Sequence, residues 1–102
     1  MRQVMVRYRV TTDRADENEA LVRAVYDELS ATQPAGLRYA TFKLEDGVSF
    51  LHIAETEDGR NPLSQVRAFG EFQAGIAERC EEPPIVSDLT EIGSFRLFGG
   101  NP

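Results

Sequence analysis

At 102 residues the chain suits one domain of the usual roughly 100–200 residues and excludes two independent ones. Hydrophobic residues at 41% and charged residues at 27% exclude a disordered chain, and 11 Lys and Arg against 17 Asp and Glu give a net charge of -6 that disfavours nucleic acid as a partner. No apolar run approaches the roughly 18 residues of a membrane helix, and MRQVMVRYRV lacks a signal-peptide core, so a cytoplasmic location away from membranes is expected. One cysteine, Cys80, and one histidine, His52, exclude an internal disulfide and a Cys/His zinc set. The glycines form no phosphate-cradling loop. Neither metal nor cofactor is expected.

Val4, Val6, Tyr8 and Val10 recur at every second position, the period of a strand with one buried face, and Met5, Arg7 and Arg9 occupy the other. A helix follows from Thr12 or Asp13, with acidic residues in its first turn and Leu21, Val25 and Leu29 as its apolar stripe, ending before Pro34. The runs LRYATFKLE and VSFLHIAE flank Asp46-Gly47, the dipeptide of a two-residue type I′ hairpin turn. That turn pairs Lys43 with Phe50, Thr41 with His52 and Tyr39 with Ala54. The opposite hairpin face, with Ala40, Phe42, Leu51 and Ile53, is the greasier one, and it places Arg38 across from Glu55.

Asn61 and Pro62 fit the cap and first position of a second helix. Its stripe of Leu63, Val66, Phe69, Phe72, Ile76 and Cys80 runs to Pro83-Pro84, with Gly70 and Gly75 as weak points. Helical spacing assigns Cys80 to packing rather than reactivity, and Glu78, Glu81 and Glu82 read as a solvated helix end. A last strand lies between Ile85 and Phe98. The expected boundaries are one domain over residues 1–98 and a frayed tail over 99–102.

The order β, α, β, β, α, β is the split βαβ of a ferredoxin-like α+β fold: an antiparallel sheet with both helices on one face. An open face bearing Met5, Tyr39, Val48 and Phe50 would be too apolar for water, so a second copy is expected to cover it, giving a homodimer.

The VMVRYRV strand, the GLRYATFKLEDGVSFLHIAETED hairpin, AFGEFQAGI on the second helix and the closing GSFRLF resemble the dimeric α/β-barrel proteins of the antibiotic biosynthesis monooxygenase-like kind over nearly the whole chain. The resemblance implies two protomers with apposed sheets, each with a cleft for a small aromatic or polyketide-like molecule, or haem in some branches. Catalytic members of that group place a tryptophan on the third strand and an Ala-His pair at the second helix. Here there is no tryptophan, and the second helix reads Val66-Arg67-Ala68-Phe69 without histidine. No family catalytic residue carries over, and haem-degrading chemistry loses its support.

The hairpin register sets His52 beside Tyr39, Thr41, Lys43 and Phe50. If Arg7 and Arg9 share that face, the cleft suits an anionic or phenolic ligand. His52 is then the candidate catalytic base of a cofactor-independent monooxygenase, with Arg7, Arg9, Tyr39, Thr41, Lys43 and Phe50 as substrate-binding residues. Against this stand plainer readings: His52 as a hydrogen-bonded structural residue, Tyr39 as dimer filler, the two arginines at the sheet rim, and Phe69 and Phe72 as core. The alternative function is a non-catalytic dimeric ligand-binding or structural module of the same fold.

Overall fold

The computed structural model describes residues 1–57 and 60–97. Its elements run β1 (Arg2–Val10), a 3₁₀ turn (Thr12–Arg14), α1 (Ala15–Thr32), β2 (Leu37–Lys43), β3 (Ser49–Thr56), a 3₁₀ turn (Pro62–Gln65), α2 (Arg67–Ala74), α3 (Ile76–Arg79) and β4 (Cys80–Leu89). All strand pairs are antiparallel, in the order β2-β3-β1-β4. The helices pack on one face of this sheet, where Tyr8, Val10 and Phe50 meet Val22, Val25, Ala68 and Phe72. This is the ferredoxin-like α+β arrangement. The tail at 99–102 lies outside the described residues.

The hairpin register is the expected one: Tyr39 faces Ala54, Thr41 faces His52 and Lys43 faces Phe50. Arg38 lies across from Glu55, with Nε 3.6 Å from the carboxylate. The turn differs from type I′, which needs positive φ at both central residues. Only Gly47 has it, at 79°, and Gly47 N–H closes the turn on the Leu44 carbonyl at 3.0 Å. The Asp46 carboxylate accepts the amides of Val48 and Ser49 and the Ser49 hydroxyl, which holds Asp46 in place without a left-handed backbone.

The second helix is broken where one continuous helix was expected. Asn61 caps its first turn as predicted, accepting Leu63 N–H at 3.0 Å with Pro62 in the first position. Val66 is extended, however, and α2 starts only at Arg67, whose amide and that of Ala68 both donate to the Glu28 carboxylate of α1 at 2.9 Å. Gly75 then separates α2 from α3. The chain enters β4 at Cys80, which pairs with Val10 instead of ending a helix. Pro83 and Pro84 thus sit inside an edge strand, in a stretch where the pairing with β1 shifts between Arg7 and Arg9, so their missing N–H groups break no ladder. The last strand is earlier than predicted, and residues 90–97 are not in a strand.

Sheet faces are also reassigned. In antiparallel pairs Val6 faces His52 and Tyr8 faces Phe50, so the face carrying His52, Tyr39, Thr41 and Phe50 is the one beneath the helices. Phe50 is 2% exposed and belongs to the core. The open face carries Met5, Ala40, Phe42, Leu51, Ile53 and Ile85, the greasier side of the hairpin. Polar hairpin residues lie inside because they bond one another there, as described next.

Candidate active site: a histidine between two tyrosines

His52 sits in the middle of β3, 5% exposed, with both ring nitrogens engaged. On one side Nε2 lies 2.8 Å from the Tyr8 hydroxyl. On the other, Nδ1 lies 2.6 Å from the Tyr39 hydroxyl and 3.1 Å from Thr41 Oγ1, and Thr41 in turn lies 2.7 Å from the Tyr26 hydroxyl of α1. Strand pairing makes this possible: Val6 and Thr41 are the direct neighbours of His52, and Tyr8 and Tyr39 are one step along on either side.

The network continues into the helices. Asn18, fully buried on α1, donates Nδ2–H to Tyr8 Oη at 2.9 Å. Arg79, 2% exposed at the end of α3, donates Nε–H to Asn18 Oδ1 at 3.0 Å and Nη2–H to the Phe72 carbonyl at 2.7 Å. Its guanidinium also lies over the Phe72 ring, 5.3 Å from the centroid. Every one of these buried polar groups has a partner, as a low-dielectric interior requires.

Burial governs the protonation states. It lowers the His52 pKa to about 4, leaving the ring neutral at neutral pH. It raises the Tyr8 phenol well above its ordinary value, against the opposing pull of the Asn18 hydrogen bond, and raises Tyr39 likewise. Tyr26 is pushed up to about 12, again by burial.

A cavity of about 310 Å³ opens beside this network, between the sheet and α2. Tyr8, Tyr39 and His52 line it together with Phe69, Phe72 and Leu63. Its volume falls at the lower end of small-molecule sites, and a mostly apolar wall with a few convergent polar groups is their usual character. A larger groove of about 810 Å³, between Ala35-Gly36 and Pro62–Gln65, is lined by surface loop residues without a buried titratable group and offers no comparable chemistry.

The structure therefore brings together His52, Tyr39 and Thr41 of the expected site, with Phe50 in the adjacent core. It does not bring Arg7 and Arg9 to them. Both arginines lie on the opposite sheet face, because alternation along β1 turns Tyr8 inward and its neighbours out. Arg9 is held by Glu81 at 2.9 Å and Glu82 at 2.8 Å, so these acids form no free helix end. Lys43 points to the surface and pairs with Glu19 at 2.7 Å. The cavity is correspondingly less cationic than predicted.

Asn18, Arg79 and Tyr26 were missed from sequence. A signal existed for the first two: Asn18 falls on the buried line Asn18, Val22, Val25 of α1, and Arg79 continues the Phe72, Ile76 spacing. A polar residue at an apolar position of a helical stripe is the mark of a buried network. The predicted α1 stripe of Leu21, Val25 and Leu29 packs in or against the core, and the line of Asn18, Val22 and Val25 beside it is the more deeply buried.

Fold and cavity define a ferredoxin-like α+β module with a cavity of small-molecule size beside His52. Solved structures share the fold. The fold matches that of an antibiotic biosynthesis monooxygenase with a TM-score of 0.71 at 19% identity, over 91% of this chain and 100% of the other. It matches a protein from Nitrosomonas europaea, provisionally assigned as an antibiotic biosynthesis monooxygenase, with a TM-score of 0.74 at 13% identity, over 91% and 100%. A second Nitrosomonas europaea protein, of unknown function, gives 0.71 at 12% identity, over 92% and 91%. No family model matches the chain, and no curated protein matches it. Identities this low establish a shared fold, which bears out the resemblance read from the sequence at that level.

Proposed function

We propose that this protein binds a small, mostly apolar molecule in the cavity beside His52 and acts on it as a cofactor-independent monooxygenase of aromatic or polyketide-like compounds. The observation that carries the reading is the meeting of two tyrosine hydroxyls and one neutral imidazole at the wall of an otherwise aromatic cavity. Fold likeness to monooxygenases supports it by analogy.

The chemistry such a site suits is removal of a proton from a CH₂ activated through an aryl ring by a ketone or phenol. Tyr8 Oη takes the substrate proton as its own passes to His52 Nε2, and the imidazolium that burial disfavours is offset by the negative charge of the enolate formed in the same cavity. The enolate is electron-rich enough to react with O₂ directly. Overall CH₂ and O₂ become C=O and H₂O, the substrate supplying all four electrons. His52 thus acts through Tyr8, since its own nitrogens are occupied.

That occupancy also favours the second reading, a non-catalytic binding module. The experiment is O₂ uptake with anthrone, a ketone with such a CH₂, alongside binding measured by calorimetry. Turnover that falls at least tenfold in His52→Ala supports the enzyme; binding without uptake leaves the module.

We propose in addition that a second copy covers the open sheet face. Met5, Leu51 and Ile53 there are only partly buried and Ile85 is 66% exposed, an apolar patch with Arg7 among it, and burying such a patch is the ordinary role of a partner surface.

A further inference from the structure

The hydrogen-bond network has a direction, and it is set at Arg79, a residue outside the cavity lining. A guanidinium carries donors only. Arg79 Nε–H therefore requires an acceptor at 3.0 Å, which fixes the Asn18 amide with Oδ1 toward Arg79 and its NH₂ toward Tyr8. A flipped amide would oppose two donors. Tyr8 Oη must then accept from Asn18, and its single proton turns to the acceptor 2.8 Å away, His52 Nε2.

With Nε2 accepting, a neutral ring carries its proton on Nδ1. Burial keeps the ring neutral, with a pKa of about 4. Nδ1–H points at the Tyr39 hydroxyl oxygen, 2.6 Å away, with Thr41 Oγ1 more distant at 3.1 Å and engaged with Tyr26. Tyr39 Oη is thus an acceptor toward the ring, and its own proton is directed away from it.

We infer that Arg79 and Asn18 are positioning residues that lock His52 in the Nδ1–H tautomer through Tyr8, so that Tyr39 presents its O–H to the cavity as a donor for a ligand's carbonyl-type oxygen. The ligand half of this inference rests on the cavity reading above; the tautomer half does not. A buried arginine that does not line the cavity sets the polarity of the site in this way, and the site takes acceptor oxygens in preference to hydrocarbon groups.

The chain's single histidine makes the test direct. In untagged, ¹⁵N-labelled protein at pH 7, long-range ¹H–¹⁵N spectra are expected to show a protonated Nδ1 and an unprotonated Nε2. The opposite tautomer in the wild type overturns the relay, with no variant required. Asn18→Asp supplies a carboxylate that accepts both from Arg79 and from Tyr8 O–H, so the proton is expected to appear on Nε2; retention of the wild-type pattern in folded Asn18→Asp counts against Asn18 as its cause. For the ligand half, 1-tetralone and tetralin differ by one acceptor oxygen. The ketone is expected to bind at least tenfold more tightly, with the preference lost in Tyr39→Phe. Equal binding of the two overturns the donor role of Tyr39, whereas failure of both to bind overturns the cavity reading and the ligand half with it.

Discussion

Tyr8 Oη and His52 Nε2, on neighbouring strands and 2.8 Å apart, join the two halves of the buried network: the helix half with Asn18 and Arg79, and the sheet half with Tyr39 and Thr41. Removing the hydroxyl in Tyr8→Phe leaves an imidazole lone pair and an amide donor without partners in a closed interior. The expected cost is about 1–3 kcal/mol, larger than the near-neutral outcome of losing an exposed hydroxyl. Urea denaturation measures it; a change below about 0.5 kcal/mol would mean that Tyr8 is not an integral part of the network.

His52 makes folding sensitive to mild acid. Its pKa falls from the ordinary 6.5 to about 4 on burial, so between those values the unfolded chain binds a proton that the folded one refuses. Stability is therefore fully present above about pH 6.5 and declines as pH drops toward 4, by about 3 kcal/mol in all at about 1.4 kcal/mol per unit. Glu19, held low by Lys43 and Arg23, and Asp46, held low by Ser49 and backbone amides, lose their stabilisation as pH falls through the carboxylate range. The His52 part is isolated by comparing the pH dependence of the wild type with that of His52→Gln, which should be flatter between pH 6.5 and 5. Parallel curves would show that the imidazole is protonated without penalty.

Glu28 bridges α1 to the start of α2 by accepting the Arg67 and Ala68 amides, two of the donors a helix leaves open at its N-terminus. Glu28→Ala is expected to cost about 1 kcal/mol, the scale of a lost helix cap, and Glu28→Gln less. Melting temperatures of the three proteins check the order; an unchanged Glu28→Ala removes this contact from the account of how α2 is docked.

Ile53 and Phe50 lie three residues apart on opposite faces of β3, and their substitutions should fail differently. Ile53→Glu puts a charge on the open face and is expected to convert a dimer to folded monomers in light scattering. Phe50→Glu buries a carboxylate in the core and is expected to unfold the chain, which circular dichroism reports. A wild type that is monomeric at micromolar concentration would dispose of the proposed pairing of sheets.

What the sequence carried was local. Alternation in β1 separated Val6 and Tyr8 from Arg7 and Arg9, and Asp46-Gly47 centred the hairpin closely enough to pair Thr41 with His52, even though the turn itself is of another type. Element order then specified the ferredoxin-like fold. Each of these rests on a period or a turn, which neighbouring residues define by themselves.

Period two sorts residues into faces without saying which face is covered. Apolarity pointed to Phe42, Leu51 and Ile53 as the core side, and the fold chose the other, because β1 docks on β3 with Tyr8 beside Phe50 and brings Asn18 and Arg79 over His52. The hydrogen bonds that make this polar face buriable join residues up to 61 positions apart. Only the tertiary structure could decide that, since a buried polar group is favourable solely where distant partners satisfy it.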